Sequence, residues 1–319
     1  MGDQLFDMAA VPHVLSLAER FVLPPFTVLD ARSGWWQNRK RLWVNDIGIQ
    51  SELGRDAKTF AKGNGDDDVS QKILALSGGQ SVFDPVLTEL AYRWFCPPDG
   101  TILDPFAGGS VRGVVAGYLG NKYIGIDLAE TQIIENRRQA DLILTPPHDV
   151  KWVSGDSAVE LDNLPSQSVD FVFSCPPYHD LEVYSKNPVD ISAMKWPQFL
   201  TAYQSIITKS VSKLAQNRFA MFVVGEFRHG SRGVYRGFLN ATIDAFESAG
   251  ANYYNELVLV QPVGTLPIRA ARQFKISRKL GRTHQTALIF VKGDPKLAAE
   301  KCGDVVVAED LANIDMTGE

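Results

Sequence analysis

Along this chain, short apolar runs alternate with stretches whose apolar positions recur every three or four residues. Such a pattern predicts strands alternating with helices. The signal sharpens from Gln80 onward. Residues 86–95 carry apolar positions at helical spacing and are closed by Pro97-Pro-Asp-Gly100. Strands are predicted at 101–104, 122–127, 150–154, 169–174, 219–224, 253–260 and 286–291. Helices are predicted near 110–119, 129–142, 197–216 and 236–249, the last closed by Gly250. Strand and helix in regular alternation imply an α/β fold with a doubly wound, mostly parallel sheet of seven strands. The flanks are less regular. Residues 1–30 are loosely amphipathic, 63–68 are polar, acidic and Gly-rich as in a mobile loop or linker, and 295–319 read as an acidic, peripheral tail.

Composition narrows the class. The 319 residues are 45% hydrophobic and 22% charged, enough for a sizeable core in one large domain with extensions. Cys96, Cys175 and Cys302 have no paired spacing, so neither a disulfide framework nor a metal site is expected, and a reducing compartment is. No signal-peptide pattern and no long uncharged apolar run occur, so a cytoplasmic protein without a membrane span is expected. The net charge of −5 argues against a protein that coats nucleic acid, but not against one that grips it through a local basic patch.

Two stretches carry the chemistry. In the first, the apolar run at 101–104 breaks into Asp104-Pro-Phe-Ala-Gly-Gly-Ser110 and then a helix. A strand, a Gly-rich turn and a helix start place free backbone N–H groups beside a polar or anionic ligand. The next strand ends at Asp127, 18 residues beyond Gly109, where an acid can take both hydroxyls of a ribose. No Gly-Lys-Ser/Thr follows, so this is not a phosphate loop, and the ordinary alternative for the loop taken alone is a tight strand-to-helix turn. In the second stretch, the run at 169–174 ends in Cys175-Pro-Pro-Tyr178. Two parallel strands ending in such loops bring them together at the sheet edge where open α/β sheets bind ligands.

The pair resembles S-adenosylmethionine-dependent DNA amino-methyltransferases of the N4-cytosine and N6-adenine type, and among them phage and prophage methylases. Asp104-Pro-Phe-Ala-Gly-Gly-Ser110 is similar to their Asp-Pro-Phe-x-Gly-x-Gly motif, and Ser174-Cys-Pro-Pro-Tyr178 to their catalytic (Asp/Asn/Ser)-Pro-Pro-(Tyr/Phe/Trp) motif. The resemblance covers roughly residues 80–293, with 81–85 similar to the segment that packs on the cofactor. It implies a Rossmann-like class I methyltransferase fold, S-adenosyl-L-methionine as cofactor and double-stranded DNA, or RNA, as partner. It further implies that Asp104 and the backbone of Pro105, Phe106, Ala107, Gly108 and Gly109 hold the methionine part of the cofactor. Asp127 would hold the ribose, Asp156 the adenine amino group, and Phe83 would pack against the cofactor. The ordinary alternatives are a helix cap for Asp156 and a core aromatic for Phe83.

An exocyclic amine is a poor nucleophile because its lone pair is delocalised into the ring. Acceptors for both amino hydrogens draw that nitrogen toward tetrahedral. In the family, the carbonyl of the first proline, here Pro176, is one acceptor and the preceding side chain the other, with Pro177 stiffening the loop. Tyr178 would stack on a flipped-out base. This chain departs from the pattern: the acceptor position is Cys175, a weak acceptor, with Ser174 placed to assist. Cysteine is nearest in shape to serine, which leans the reading to N4 of cytosine. A rival is attack of a Cys175 thiolate on carbon 6 of cytosine with Glu226 at the ring nitrogen, giving carbon-5 methylation. A further rival is a cofactor-binding protein that binds DNA without catalysis.

No span between the motifs is long enough for a separate recognition domain. Three domains are expected: an extension at 1–79 with a possible DNA-recognition segment, a catalytic domain at 80–294, and the tail. In the extension, Arg32, Arg39, Lys40 and Arg41 interleave with Trp35, Trp36 and Trp43, a mixture that pairs phosphates and stacks on bases or else packs on the core. Two basic loops are expected to contact nucleic acid: one with Arg228, Arg232 and Arg236, the other, 266–283, with Arg269, Arg272, Lys275, Arg278, Lys279 and Arg282. The loop 179–197, with Tyr184, Lys186 and Lys195, is placed to close over the target.

Overall fold

The computed structural model describes residues 20–50, 83–179, 187–264 and 266–305. Its strands are β1 (Val28–Asp30), β2 (Thr101–Asp104), β3 (Lys122–Asp127), β4 (Val150–Ser154), β5 (Val169–Ser174), β6 (Leu214–Val224), β7 (Asn252–Val260) and β8 (His284–Lys292). They form one sheet in the order β1-β7-β8-β6-β5-β2-β3-β4. All neighbours are parallel except the pairs that β8 makes with β6 and β7. This is the Rossmann-like class I methyltransferase topology with one strand more than the seven expected. The addition, β1, pairs with β7 in register Val28 to Val258 and lies in the stretch whose weak amphipathic pattern gave no strand signal.

Helices cover both faces. On one lie α2 (Pro85–Phe95), α3 (Val111–Tyr118), α4 (Glu130–Ile143) and, after β8, α9 (Pro295–Cys302); on the other lie α6 (Trp196–Lys213) and α7 (Phe238–Ser248). The remaining helices are α1 (Gly34–Arg41), the short α5 (Ser157–Glu160) and α8 (Leu266–Ser277). Central strands buried on both sides read as continuous apolar runs, which is why Phe171, Val172 and Phe173 of β5 are all buried. Local signals fix the helix starts. Asp84 accepts from the N–H groups of Val86 (2.9 Å) and Leu87 (3.3 Å), and Pro85 occupies the first turn, where its missing N–H costs nothing.

Four expectations change. Trp36 and Trp43 are fully buried and Trp35 nearly so, so these rings form core and cannot stack on bases. Arg39, between them, is buried and paired with Glu89 (2.7 Å from Nε), which also takes Arg93 (2.8 Å) and the Trp43 indole N–H (3.0 Å). Arg32 pairs with Asp30 and Lys40 with Asp84. Basic–aromatic interleaving had two meanings, and apolar burial of the indoles decided between them. Second, 266–277 is a helix, not a loop. Third, 295–302 is not peripheral: α9 is capped by Asp294 and buries Ala298 and Cys302 against the core. Burial pushes the Cys302 thiol up to about 11, consistent with an inert packed group. Fourth, the predicted helix 197–216 stops at Lys213, and β6 takes over at Leu214. Residues 63–68 and the lid residues Tyr184 and Lys186 lie outside the described residues; Lys195 is exposed at the start of α6.

Candidate active site

Because β2 to β6 run parallel, their C-terminal ends meet at one edge. The two antiparallel steps through β8 bring the end of β7 to that edge as well. The Gly-rich loop, Asp127, Asp156, the Cys-Pro-Pro-Tyr loop, the basic turn after β6 and helix α8 therefore converge.

Asp104 is the centre of the interior. Its carboxylate is fully buried and accepts from four donors: Arg112 Nε (2.5 Å), the Tyr123 hydroxyl (2.8 Å), the Ser174 hydroxyl (2.5 Å) and the Phe106 N–H (3.2 Å). Arg112 also donates to the carbonyls of Phe106 (2.7 Å) and Ala107 (2.8 Å) and lies 4.5 Å under the Phe83 ring. Burial works against its charge, but the adjacent Asp104 more than offsets this and holds the guanidinium protonated beyond its ordinary range. Burial, and then the Asp104 charge, push the hydroxyls of Tyr92 and Tyr123 well above the usual tyrosine range, so both stay neutral donors. One ion pair thus ties the end of β2 to helix α3 and, through Ser174, to the end of β5. The Asp104 carboxylate is fully buried and taken up by these four donors, so it braces the loop from within.

The loop itself remains open. Pro105, Ala107 and Ser110 are buried, whereas Phe106, Gly108 and Gly109 are half-buried. Gly108 sits at φ +53°, which favours glycine. Asp127 is half-buried at the end of β3 and accepts from the N–H groups of Gly108 (2.8 Å) and Ala129 (2.8 Å). Asp156 caps α5 through the Ala158 N–H (2.8 Å) and is half-buried. Phe83 is half-buried and packs edge-on against Phe173 (5.8 Å).

At the second loop, Ser174 and Pro176 are buried and Cys175, Pro177 and Tyr178 half-buried. Cys175 Sγ lies 3.9 Å from the Tyr178 hydroxyl. Phe227 (6.4 Å) and Phe238 (6.2 Å) hold the Tyr178 ring edge-on. His179 follows in left-handed backbone (φ +49°), is buried, and donates from Nε2 to the Met194 carbonyl (2.9 Å). Its ring lies among Trp196, Phe199 and Phe227. Glu226 accepts from the N–H groups of Gly237 (3.1 Å) and Leu239 (2.9 Å) at the start of α7, so it caps a helix.

The basic turn after β6 closes through a bridge between Arg228 and Tyr235, with the Arg228 guanidinium 4.0 Å over that ring and donating to the Gly233 carbonyl. Arg232 is exposed, and Arg236 lies 4.8 Å over Trp196. Arg272, Lys275 and Arg278 are exposed and Lys279 is half-buried. Arg282 is bound at home, to the His284 carbonyl (2.9 Å) and the Thr286 hydroxyl (3.0 Å). The Arg269 side chain lies outside the described residues. A Cβ added at Gly233 would stand 2.8 Å from Lys279 Nζ, so the turn and the segment after α8 form one surface.

Sequence reasoning missed Arg112, Tyr123 and His179. Arg112 left a trace: a lone arginine inside Val111-Arg-Gly-Val-Val-Ala-Gly117 needs a buried partner. Tyr123 and His179 left none.

No protein-family profile matches this chain, and no curated protein sequence matches it. Solved structures do resemble it. TrmN from Thermus thermophilus shares 13% identity, covering 69% of this chain and 52% of that one, at TM-score 0.44. Magnesium protoporphyrin IX methyltransferase from Synechocystis PCC 6803, solved with bound SAM, shares 12% over 82% and 98% at 0.43. A provisionally named DNA modification methylase, also from Thermus thermophilus, shares 16% over 44% and 52% at 0.33. The chain thus spans about half the length of two of these proteins. Identities this low and superpositions this partial transfer no activity or substrate to it. Among the described residues no helix is long and apolar enough to cross a membrane, and no cluster of side chains fits a metal ion.

Proposed function

We propose that this protein transfers a methyl group from S-adenosyl-L-methionine to an exocyclic amine of a base in DNA, N4 of cytosine before N6 of adenine. The observation that carries the reading is the junction of the two loops through Ser174, Asp104 and Arg112. It fixes the cofactor loop relative to Cys-Pro-Pro-Tyr at the ligand-binding edge of the sheet.

The residues present fit the cofactor. Two half-buried glycines, one in left-handed backbone, let a ligand approach the main chain after β2, and Asp127, half-buried at the end of β3, would take the ribose hydroxyls. When bound, the cofactor supplies an electrophilic methyl group. Phe106, Gly108 and Gly109 would offer backbone contacts, Asp156 would meet the adenine amino group and Phe83 would cover one side. Asp104 acts as a strut for this loop, since its carboxylate is saturated from within.

The catalytic loop acts on the base. The Pro176 carbonyl accepts one amino hydrogen and the Cys175 position faces the other, which frees the nitrogen lone pair. Tyr178, held by Phe227 and Phe238, stacks on the extruded base. The amine mechanism needs no nucleophilic thiol. The covalent alternative needs an acid at the ring nitrogen, and Glu226 is engaged as the cap of α7. Arg228, Arg232, Arg236, Arg272, Lys275, Arg278 and Lys279 contact phosphates beside the site. Arg269 belongs to the same group by sequence.

The test is transfer of labelled methyl from S-adenosyl-L-methionine to DNA and, in parallel, to RNA. Label in DNA that disappears in Tyr178→Ala, with cofactor binding preserved by calorimetry, is the expected result. Cofactor binding without label in either nucleic acid points instead to a DNA-binding protein without catalysis.

A further inference from the structure

Helix α8 carries more than positive charge. Ile268, Arg272 and Ile276 stand four residues apart, so they form one stripe along a single helix face, and Lys275 flanks it. The two isoleucines are 67% and 69% exposed, and Leu280, just beyond the helix, is 73% exposed. Arg272 and Lys275 are exposed as well. A face that only met phosphates would gain nothing from branched apolar side chains held in water, and a purely apolar docking face would not place a guanidinium between them. Leu266 packs against Gly281, where an added Cβ would stand 2.9 Å from its side chain, and Lys279 reaches the turn at Gly233. That turn begins at Phe227, which packs on Tyr178. The helix therefore lies at the same sheet edge as the proposed catalytic loop.

We infer that α8 is a groove-reading helix for B-form duplex DNA, with Ile268 and Ile276 covering thymine methyl groups and Arg272 reading a base edge or phosphate between them. Three physical points converge on this occupant. The B-form major groove, about 12 Å wide, admits an α-helix, and eight residues of helix span about 12 Å, several base pairs along it. That groove displays both elements the stripe matches: the thymine methyl for apolar side chains, and guanine acceptors for arginine. The A-form groove of duplex RNA is deep and narrow, and uracil lacks the methyl, so the same helix has no counterpart there. The inference deepens the proposed function, on which it rests for the location of the target, by choosing duplex DNA over RNA and assigning sequence preference to this face.

The test is fluorescence anisotropy with three mixed-sequence duplexes of equal length: thymine DNA, the same DNA with uracil at every thymine, and RNA. Wild-type protein is expected to bind thymine DNA about fourfold more tightly than uracil DNA for each methyl covered, the effect of one buried carbon, and to bind RNA more weakly than either. Ile268→Ser and Ile276→Ser each remove part of the thymine preference while binding to uracil DNA stays close to wild type. Both positions are exposed, so these variants fold; thermal melts confirm it. Equal affinity for thymine and uracil DNA, or RNA bound as tightly as DNA, overturns the inference. So does a dimer in sedimentation that Ile276→Ser dissolves, because a second copy of the chain then covers the stripe. A thymine preference with no methyl transfer to any base leaves the groove helix standing and removes the methyltransferase reading instead.

Discussion

The two halves of the candidate site are built on opposite principles. Around Asp104 the donors converge on one buried acceptor: the carboxylate takes an arginine, a tyrosine, a serine and a backbone N–H, and nothing of it reaches solvent. Around α8 and the turn after β6, guanidinium and ammonium groups stand in water beside exposed isoleucine, leucine and tyrosine. A saturated polar interior fixes geometry. An exposed surface of mixed basic and apolar character is suited to a partner. Under the proposed function, precision of placement belongs to the first region and target choice to the second, and the comparison can be broken from either side.

The largest effect is expected inside. Asp104→Asn leaves the Arg112 charge buried without its counter-ion, which costs about 3–5 kcal/mol of stability, read as a lower denaturant midpoint. A small change would mean that Arg112 swings to water and that the network is loosely held.

Next comes Tyr178→Ala. Loss of a stacking platform worth about 1–3 kcal/mol lowers transfer roughly ten- to hundredfold, while cofactor affinity changes little. Parallel loss of cofactor binding would place Tyr178 in the framework of the loop and not on the target.

A third prediction concerns acid. Burial pushes the Glu89 carboxyl up, but Arg39, by hydrogen bond and charge, and then Arg93 more than offset it, so its proton affinity in the folded state lies below the ordinary glutamate value. A lowered folded value contributes stability that is present above the unfolded glutamate range and lost as pH falls through the folded value. Melting temperature should therefore fall on acidification below the ordinary glutamate range. Glu89→Gln should be less stable near neutrality and flatter across that window. A variant with the wild-type slope would show that other carboxylates control acid unfolding.

The smallest effect is expected at the rim. Lys275→Gln reduces the salt dependence of DNA binding by about one phosphate contact, with no change in melting temperature. An unchanged salt slope would remove this face from the DNA contact.

Much of the interior was legible in sequence because periodicity reports burial. The runs at 101–104, 122–127, 150–154 and 169–174 are strands at those bounds. Composition read without burial was ambiguous. Basic residues among tryptophans at 32–43 fit a nucleic-acid contact as well as a core, and only packing of Trp36 and Trp43 separates the two. The three-residue β1 is too short to show a period. Asp104 was visible as a motif residue, but its role as strut was not, because that depends on Arg112, Tyr123 and Ser174 arriving from three other elements. Helix α8 was hidden by its basic density, which read as a loop, although its positions 268, 272 and 276 already share a helical face.

The central claim, methyl transfer to an exocyclic amine, is tested most directly by mass spectrometry of nucleosides from DNA incubated with the protein and S-adenosyl-L-methionine, with Cys175→Ser alongside. The account predicts N4-methylcytosine, or N6-methyladenine, that persists in Cys175→Ser. 5-Methylcytosine that vanishes in that variant would contradict it, because Cys175 would then be the nucleophile of a covalent reaction.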